Sequence, residues 1–409
     1  MWRLKKAVYS LKNSARCWNK HFHAHLLSIG FVQSQFDPCV YTRGSHADDS
    51  FIALATFVDD IAAAGSNAAA VDALLLELRT AFAIDDKGEL DWFLSLSVDR
   101  LDAGDLFVHQ TAYLHDVLER FGISVTDTTP AALPLPTNYG YARYNGIATP
   151  DNTKRFRHIV GAIRWITLTR PDICFSLNNL ARNMANPGPE HLAAAMHLLH
   201  HLRITCDDGI HFRHAGGQFL IEAYADSDLG GDNEKYQSTA GYIIRLNHYS
   251  SPVSFASRLM HDIATSTCHA EYVALYEATR EVVHLRGLLS ELVPGKFLPL
   301  PPTKILGDNA GSIALCQNPK HNKRNKHFPI KLHYTRQIRE SGAIDVFKTP
   351  TAVMWADSLT KQLSGPAHQT HKKVLLGVNS YTPPDLQGML RLVKAAANAD
   401  SACYTCQPA

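Results

Sequence analysis

Four acidic residues in the second half of this 409-residue chain stand where predicted strands end or predicted helices begin. Asp226 follows the predicted strand 219–225, and Asp308 follows the predicted strand 304–306. If these two strands are parallel neighbours, both carboxylates lie in the crevice beyond the strand ends, where α/β sheets bind their ligands.

Glu271 and Asp357 extend this acidic set. Glu271 lies near the start of the predicted helix 269–292, on the face whose leucine and valine spacing marks it as buried. A buried carboxylate is costly unless something pairs with it. Asp357 follows the last predicted strand, 344–348. Convergence of the four would favour two Mg²⁺ ions held by shared carboxylates, the recurrent arrangement for attack of water on a phosphodiester.

A simpler interpretation exists for each carboxylate taken alone. An acidic residue in front of a helix is often an N-cap, which satisfies free backbone N–H groups at the helix start. Asp308, Asp357 and Glu271 are all open to this interpretation. Only convergence in space distinguishes a cation site from three separate caps.

The elements that must position these residues follow from the hydrophobic pattern. From residue 219 the pattern reads as three strands, a helix, a strand, two helices and a strand, which predicts a mixed sheet. In the first half, Trp18, Phe22 and Leu26 form one stripe of a predicted helix, and two predicted strands, 40–42 and 51–57, precede the turn Asp59-Asp60. Residues 126–150 are rich in turn formers and predict a linker.

The charge balance restricts the classes of partner. Lys+Arg 40 against Asp+Glu 38 gives a net charge of +2, so any contact with nucleic acid must be local. The strongest basic cluster runs from Lys320 to His327 and continues to Arg336. It predicts phosphate contacts, with a solvated loop as the alternative. Eight cysteines without a paired framework and the lack of a long apolar segment predict an intracellular protein that does not cross a membrane.

Six blocks in the second half, in this order and spacing, resemble the RNase H domain of copia-type retrotransposon polyproteins. The blocks are Tyr224-Ala225-Asp226-Ser227-Asp228-Leu229-Gly230-Gly231-Asp232, Gln237-Ser238-Thr239-Ala240-Gly241-Tyr242, Ser266-Thr267 with Ala270-Glu271-Tyr272-Val273-Ala274, Asp308-Asn309, Lys326-His327 and Ala356-Asp357-Ser358-Leu359-Thr360-Lys361.

This resemblance implies an RNase H fold and hydrolysis of the RNA strand of RNA–DNA hybrids. It implies Asp226, Glu271, Asp308 and Asp357 as catalytic ligands of two Mg²⁺ (or Mn²⁺) ions, and leaves Asp228 outside that set. The residues expected to contact nucleic acid are Lys323, Arg324, Lys326, His327, Lys331 and Arg336.

The first 120 or so residues resemble the C-terminal part of the reverse transcriptase of the same family. The blocks are Leu4-Lys5-Lys6-Ala7-Val8-Tyr9-Ser10-Leu11-Lys12, Phe36-Asp37-Pro38-Cys39-Val40-Tyr41, Phe57-Val58-Asp59-Asp60 and Gly88-Glu89-Leu90-Asp91-Trp92-Phe93-Leu94. The resemblance implies that Asp59 and Asp60 are a remnant of the polymerase site. The fingers and the first catalytic Asp are expected upstream of Met1, so polymerase activity is expected to be lost in this chain alone.

The combined prediction is an α+β and α/β chain, in which a truncated reverse-transcriptase palm and thumb precede an RNase H-like mixed five-stranded sheet with flanking helices. The predicted ranges are 1–125 for the partial reverse transcriptase, 126–215 for a linker and helical connection, 216–364 for the RNase H-like domain and 365–409 for a partly disordered tail.

Expected partners are an RNA–DNA hybrid, an RNA template and a DNA primer, and a chain that supplies the polymerase fingers is a further option. The expected location is the cytoplasm, in virus-like particles, with the nucleus as a second compartment. A non-catalytic nucleic-acid-binding remnant of a decayed retroelement is the alternative function. An unstable product whose first half does not fold is a third hypothesis.

Overall fold

The computed structural model describes residues 13–378 except 125, 138, 140, 141, 215–220, 232–234 and 318–328. The helices in this part of the chain are α1 Ser14–Ser28, α2 Ala68–Ala81, α3 Thr111–Arg120, α4 Pro150–Ile166, α5 Cys174–Ala181, α6 Pro189–Ile204, α7 Thr267–Leu292, α8 Ala310–Gln317, α9 Pro329–Glu340 and α10 Gly365–Leu375. The strands are β1 Val32–Gln33, β2 Val40–Arg43, β3 Ile52–Phe57, β4 Asp60–Gly65, β5 Trp92–Phe93, β6 Leu96–Arg100, β7 Leu106–His109, β8 Ile210–Phe212, β9 Glu222–Asp228, β10 Thr239–Arg245, β11 Ser254–Leu259, β12 Thr303–Gly307 and β13 Ile344–Lys348. No helix described here combines the length and apolar character of a membrane span.

The first sheet is an antiparallel meander in the order β1-β2-β3-β4. Helices α1 and α2 bury their apolar stripes against it, with Phe22 and Leu26 from α1 and Leu74 and Leu78 from α2 in one core. The stripe predicted from Trp18, Phe22 and Leu26 is therefore the face that packs. Asn67 begins α2 by accepting a hydrogen bond from the N–H of Ala70 at 2.8 Å.

A second antiparallel sheet, in the order β5-β6-β7-β8, is absent from the predicted elements. Its last strand, β8, comes more than a hundred residues after β7 and lies in the segment predicted as the helical connection. Between these strands, helices α3 to α6 form a separate apolar core around Phe156, Ile163 and Leu198. The connection therefore carries its own core and closes a sheet begun much earlier in the chain.

The third sheet confirms the predicted mixed five-stranded sheet. Its order is β11-β10-β9-β12-β13. Strand β10 pairs antiparallel with both β11 and β9, and β12 pairs parallel with both β9 and β13. Strand β9 is central, and its parallel pairing with β12 places the carboxyl ends of both strands at the same edge. The predicted ranges 329–340 and 344–348 agree with α9 and β13.

The two faces of this sheet are covered by different parts of the chain. Along β9, Ala223 and Ala225 face the core formed with α7, whereas Tyr224 between them faces a second core. This alternation is the period of two that a strand requires. The second core includes the 3₁₀ turn Trp355–Leu359 and reaches Cys174 of α5 and Val374 of α10.

Residues 365–375 were placed in the predicted tail but form the helix α10. Pro366 stands in its first turn, where the missing N–H costs nothing. The helix buries His368, His371, Val374 and Leu375. The first residues of the predicted tail are thus helical, and residues 379–409 lie outside the described part of the chain.

Candidate metal centre

Three carboxylates from three elements converge at the edge where β9 and β12 end. Asp226 belongs to β9, Asp308 directly follows β12, and Glu271 lies in the second turn of α7. Each supplies a carboxylate oxygen, and these oxygens lie within 4.8 Å of one another. Asp226 and Glu271 are buried, and Asp308 is partly exposed. The parallel pairing of β9 with β12, on which the predicted convergence depended, creates this arrangement.

The helix-cap interpretation of these residues is wrong. The N-cap of α7 is Ser266, whose hydroxyl accepts a hydrogen bond from the N–H of His269 at 3.1 Å. At the start of α8, the side chain of Asn309 accepts from the N–H of Ser312 at 3.0 Å. Glu271 and Asp308 are therefore free of any capping role, and their convergence needs another explanation.

Asp357 lies beside the group of three rather than within it. It belongs to the 3₁₀ turn Trp355–Leu359, and Oδ1 of its carboxylate forms an ion pair with Nζ of Lys361 at 3.0 Å. The hydroxyl of Thr360, one residue before Lys361, donates a hydrogen bond to Asp226 Oδ2. The turn thus brings a fourth carboxylate, a cation and an orienting hydroxyl to the same edge.

Asp308 has an orienting hydroxyl of its own. Thr351, just beyond β13, donates a hydrogen bond to Asp308 Oδ2 at 3.0 Å. Thr351, Thr360 and Lys361 were not assigned site roles from the sequence. The signal for Thr360 and Lys361 was their position three and four residues after Asp357, a spacing that returns to the same side of a helical turn.

Burial and mutual repulsion raise the pKa of these carboxyls. Burial, reinforced by Asp226 and Asp308, raises the pKa of Glu271 to about 9. Burial, followed by repulsion from Asp357, raises the pKa of Asp226 to about 7 against the opposing charge of Lys361. Burial also raises the pKa of Asp357. Clustered carboxylate oxygens that repel one another are suitable ligands for hard divalent cations such as Mg²⁺.

These pKa shifts predict that Mg²⁺ stabilises the chain more in alkaline than in mildly acidic solution. In the unfolded chain the same carboxyls titrate near pH 4. The folded metal-free chain therefore loses stability as the pH rises from about 4 towards the raised pKa values of Asp226 and Glu271. Mg²⁺ removes this penalty, and we expect it to raise the melting temperature by at least about 3 °C at about pH 8.5 and by much less at about pH 5.5.

Scanning calorimetry with and without Mg²⁺ measures this difference. The same measurement on Asp308→Asn is the control, because that variant lacks one carboxylate of the group. Equal stabilisation by Mg²⁺ at the two pH values would contradict the assignment of the raised pKa values to a cation site.

Gly241 allows the 3₁₀ turn to approach the sheet. It lies directly opposite Asp226 in the pairing of β10 with β9. A Cβ atom at this position would stand 2.8 Å from Thr360 Cγ2 and 2.9 Å from Leu359 Cβ. Both distances are below those of ordinary contacts, so the turn that carries Asp357 must move if the glycine gains a side chain.

We expect Gly241→Ala to reduce the free energy of unfolding by about 1–3 kcal/mol and to weaken Mg²⁺ binding by displacing Thr360 from Asp226. Urea unfolding and Mg²⁺ titration measure the two effects. Gly161→Ala in α4 is a matched control, because its Cβ meets nothing within 4 Å. That control is expected to be neutral or to stabilise by up to about 1 kcal/mol.

The second predicted acidic pair lies at a different place. Asp59 and Asp60 are exposed at the turn between β3 and β4, where Phe57 pairs with Asp60. Val58 in this turn has a φ of 55°, a left-handed conformation that is strained for a β-branched residue. The pair lines a cleft of about 770 Å³ that extends to Trp165. Within the described residues, no third carboxylate joins them in a ligand group.

The predicted nucleic-acid contacts divide into two sets. Lys323, Arg324, Lys326 and His327 lie outside the described residues. Lys331 is partly exposed at the start of α9, with Nζ 5.8 Å from the centre of the Tyr276 ring. Arg336 is 6% exposed, and its Nε donates to the carbonyl of Leu315 at 2.7 Å. The prediction for Arg336 is therefore corrected: its guanidinium is directed into the protein, where it joins α9 to α8.

Comparison with known proteins shows similarity to retrotransposon polyproteins. Residues 1–137 match the reverse transcriptase (RNA-dependent DNA polymerase) family. The chain is 34% identical over 392 residues to the retrovirus-related Pol polyprotein from transposon RE2 of Arabidopsis thaliana, and 35% identical over 369 residues to that from transposon RE1. These alignments cover 95% and 90% of this chain but only 26% and 24% of the relatives.

The corresponding polyprotein from transposon TNT 1-94 of Nicotiana tabacum is 28% identical over 88% of this chain and 27% of its own length. The chain thus spans about a quarter of the length of these curated relatives. Over most of its length the chain is thus similar to Pol polyproteins of copia-type retrotransposons, and its first third matches the reverse transcriptase family.

Solved structures similar to part of the chain are RNase H domains. One is the N-terminal RNase H domain of a Mycobacterium tuberculosis protein, with 14% identity, a TM-score of 0.26 and coverage of 38% of this chain and 97% of that one. Another is LC11-RNase H1 in complex with an RNA/DNA hybrid, with 16% identity, a TM-score of 0.27 and coverage of 34% and 93%.

Proposed function

We propose that the RNase H-like unit hydrolyses the RNA strand of RNA–DNA hybrids with the help of two Mg²⁺ or Mn²⁺ ions. The observation that carries this proposal is the convergence of Asp226, Glu271 and Asp308, within 4.8 Å of one another, from three separate elements. A purely structural role does not account for buried carboxylates that repel one another. Asp357 is the proposed fourth ligand, beside Asp226.

The residues of this chain hold and orient the reacting groups. The hydroxyls of Thr360 and Thr351 fix Asp226 and Asp308, so that these carboxylates keep their direction without rearrangement. Lys361, paired with Asp357, offsets part of the negative charge. The bound ions would supply activation of water and stabilisation of the charge that develops on the phosphate.

We further propose that this chain alone does not polymerise DNA. Its Asp59–Asp60 turn offers two carboxylates, and the described residues bring no third carboxylate to them. A site of that kind needs further ligands to hold the two ions of a nucleotidyl transfer. An RNA template, a DNA primer and a chain that supplies the remaining polymerase elements are the proposed partners of this segment.

The direct test incubates the full chain with an RNA–DNA hybrid labelled on the RNA strand. We expect cleavage of that strand in Mg²⁺ or Mn²⁺, none in a chelator, and none of a matched DNA duplex. Asp308→Asn is the matched control and is expected to be inactive. A folded wild-type chain that cleaves no more than Asp308→Asn would contradict the proposal. Salt-dependent hybrid binding that is also unaffected by Asp226→Asn would then indicate a non-catalytic remnant.

A further inference from the structure

A second group of possible metal ligands lies where the helical connection meets α10. Asp172 stands in the 3₁₀ turn Pro171–Ile173, His201 in α6 and His368 in α10. Their ligand atoms lie within 4.8 Å of one another, and all three residues are buried. The three elements come from distant parts of the sequence, and no role was assigned to any of these residues from the sequence.

The hydrogen bonding of His201 is the pattern of a metal-ligating histidine. Nδ1 is 2.8 Å from the carbonyl oxygen of Ala131, and because a carbonyl only accepts, the proton is on Nδ1. Nε2 therefore carries a free lone pair, and it is buried without a hydrogen-bond partner among the described residues. A backbone carbonyl that fixes the tautomer and ring of a histidine in this way is the usual partner of a metal ligand.

His368 presents a second nitrogen of the same kind. Its Nε2 is also buried with no hydrogen-bond partner in the described part of the chain. The rings of His201 and His368 are 6.1 Å apart between centroids. Two buried ring nitrogens without partners are costly unless they share a ligand.

Asp172 supplies the anionic donor. The guanidinium of Arg170 donates to both of its oxygens, at 2.9 and 2.8 Å, and holds the carboxylate in one orientation. An ionised carboxylate has about four lone-pair directions, so each oxygen retains one for a further partner. Asp172 and His368 also line a small cavity of about 20 Å³ beside the group, and His201 lies outside its lining.

We propose that Asp172, His201 and His368 form a structural site for Zn²⁺ or a similar transition-metal ion that fastens α10 to the helical connection. Two imidazoles and one carboxylate are the donors that Zn²⁺ accepts, whereas Mg²⁺ favours sites built of oxygen alone. The proposal is independent of the hydrolytic activity.

The test measures the binding of Co²⁺, a spectroscopic substitute for Zn²⁺, by the full chain that carries Asp308→Asn. Excess Mg²⁺ is present throughout. These conditions suppress binding at the carboxylate group. We expect one Co²⁺ per chain, with visible absorption of nitrogen and oxygen ligation and no thiolate charge-transfer band. His201→Gln and His368→Gln are each expected to weaken Co²⁺ binding by at least about 100-fold. His200→Gln, at the neighbouring position of α6, is the matched control and should bind normally.

A second measurement uses the chain with His201 and His368 intact, so that its result does not depend on whether the histidine variants fold. In Zn²⁺ titrations followed by NMR of histidine ring nitrogens, the signals of His201 and His368 should shift together at one equivalent. No shift of these two signals would overturn the proposal and leave the cavity to water. Normal Co²⁺ binding by a folded His201→Gln or His368→Gln, or binding through thiolates alone, would also overturn it.

Discussion

Asp226→Asn is expected to abolish metal-dependent cleavage of an RNA–DNA hybrid and, at the same time, to stabilise the metal-free chain. The loss of activity should reach about 10³-fold, which corresponds to roughly 4 kcal/mol of charge stabilisation supplied through this ligand. The gain in stability follows from the surroundings of Asp226, which is 2% exposed. Its burial, together with repulsion from Asp357, raises its pKa to about 7. Above that pH the folded chain carries a buried, repelled charge that Asn removes.

The increase in the free energy of unfolding should be about 1–2 kcal/mol at about pH 8 and should vanish below about pH 3, where the carboxyl is protonated in both states. Hybrid cleavage and urea unfolding in a chelator measure the two effects. Asp262→Asn, at an exposed loop position of the same unit, is the control and should change neither. A metal-free Asp226→Asn chain that is less stable than wild type would contradict the repulsion assigned to this site.

Arg245→Met is expected to cause a large loss of stability far from any reaction chemistry. Arg245 and Glu222 are paired residues of β10 and β9, each less than 5% exposed, and their side chains form an ion pair. His248 Nδ1 lies 2.7 Å from the other oxygen of Glu222. Burial alone would raise the pKa of Glu222, but Arg245 and His248 outweigh it and lower that pKa. Removal of the guanidinium leaves a buried carboxylate short of its main partner, at a cost of about 3–5 kcal/mol.

The double variant Glu222→Leu with Arg245→Met should recover most of this loss, because no buried charge then remains unpaired. The loss in Arg245→Met should also shrink in acid, because protonation of Glu222 removes the unpaired buried charge. Arg100→Met is the control for an exposed ion pair, since the side chains of Arg100 and Glu89 are 57% and 83% exposed, and should cost less than about 1 kcal/mol. An Arg245→Met variant within 1 kcal/mol of wild type in urea unfolding would refute the assignment.

The third sheet and its flanking helices were the part of the fold that the sequence predicted best. All seven residues of β10 are buried, so this strand stands out against the polar loops around it. The helix predicted over 269–292 differs from α7 only at its N-terminus, where Ser266 provides the cap. Strong local patterns of this kind agree with the tertiary structure. Once the elements are known, the rules for strand connections leave few possible orders for the sheet.

The second sheet and α10 were missed for different physical reasons. Strands β5 to β8 are two to five residues long, and the pairing partner of β7 lies beyond four further helices. No local pattern identifies such a sheet. In α10 the buried face consists of His368 and His371 as well as Val374 and Leu375, so half of its buried residues counted as polar in the hydrophobic pattern.

The acidic residues of the candidate site could be chosen from the sequence because each stands at the end of an element. Their orienting hydroxyls could not, since a hydrogen bond from Thr360 to Asp226 joins residues 134 positions apart. Arg336 shows the opposite error. Its place in a basic run indicated a surface role, whereas the amphipathic register of α9 turns it inward against α8.

The contact of α10 with the third sheet also sets the order in which parts of the chain can fold during synthesis. One core joins Cys174, Tyr224, Trp355 and Val374, so it stays open until residues near 375 have left the ribosome. The first sheet needs only residues up to about 84 and can close early. Nascent chains therefore carry a folded first sheet and an exposed apolar surface behind it, a state that favours aggregation and chaperone capture.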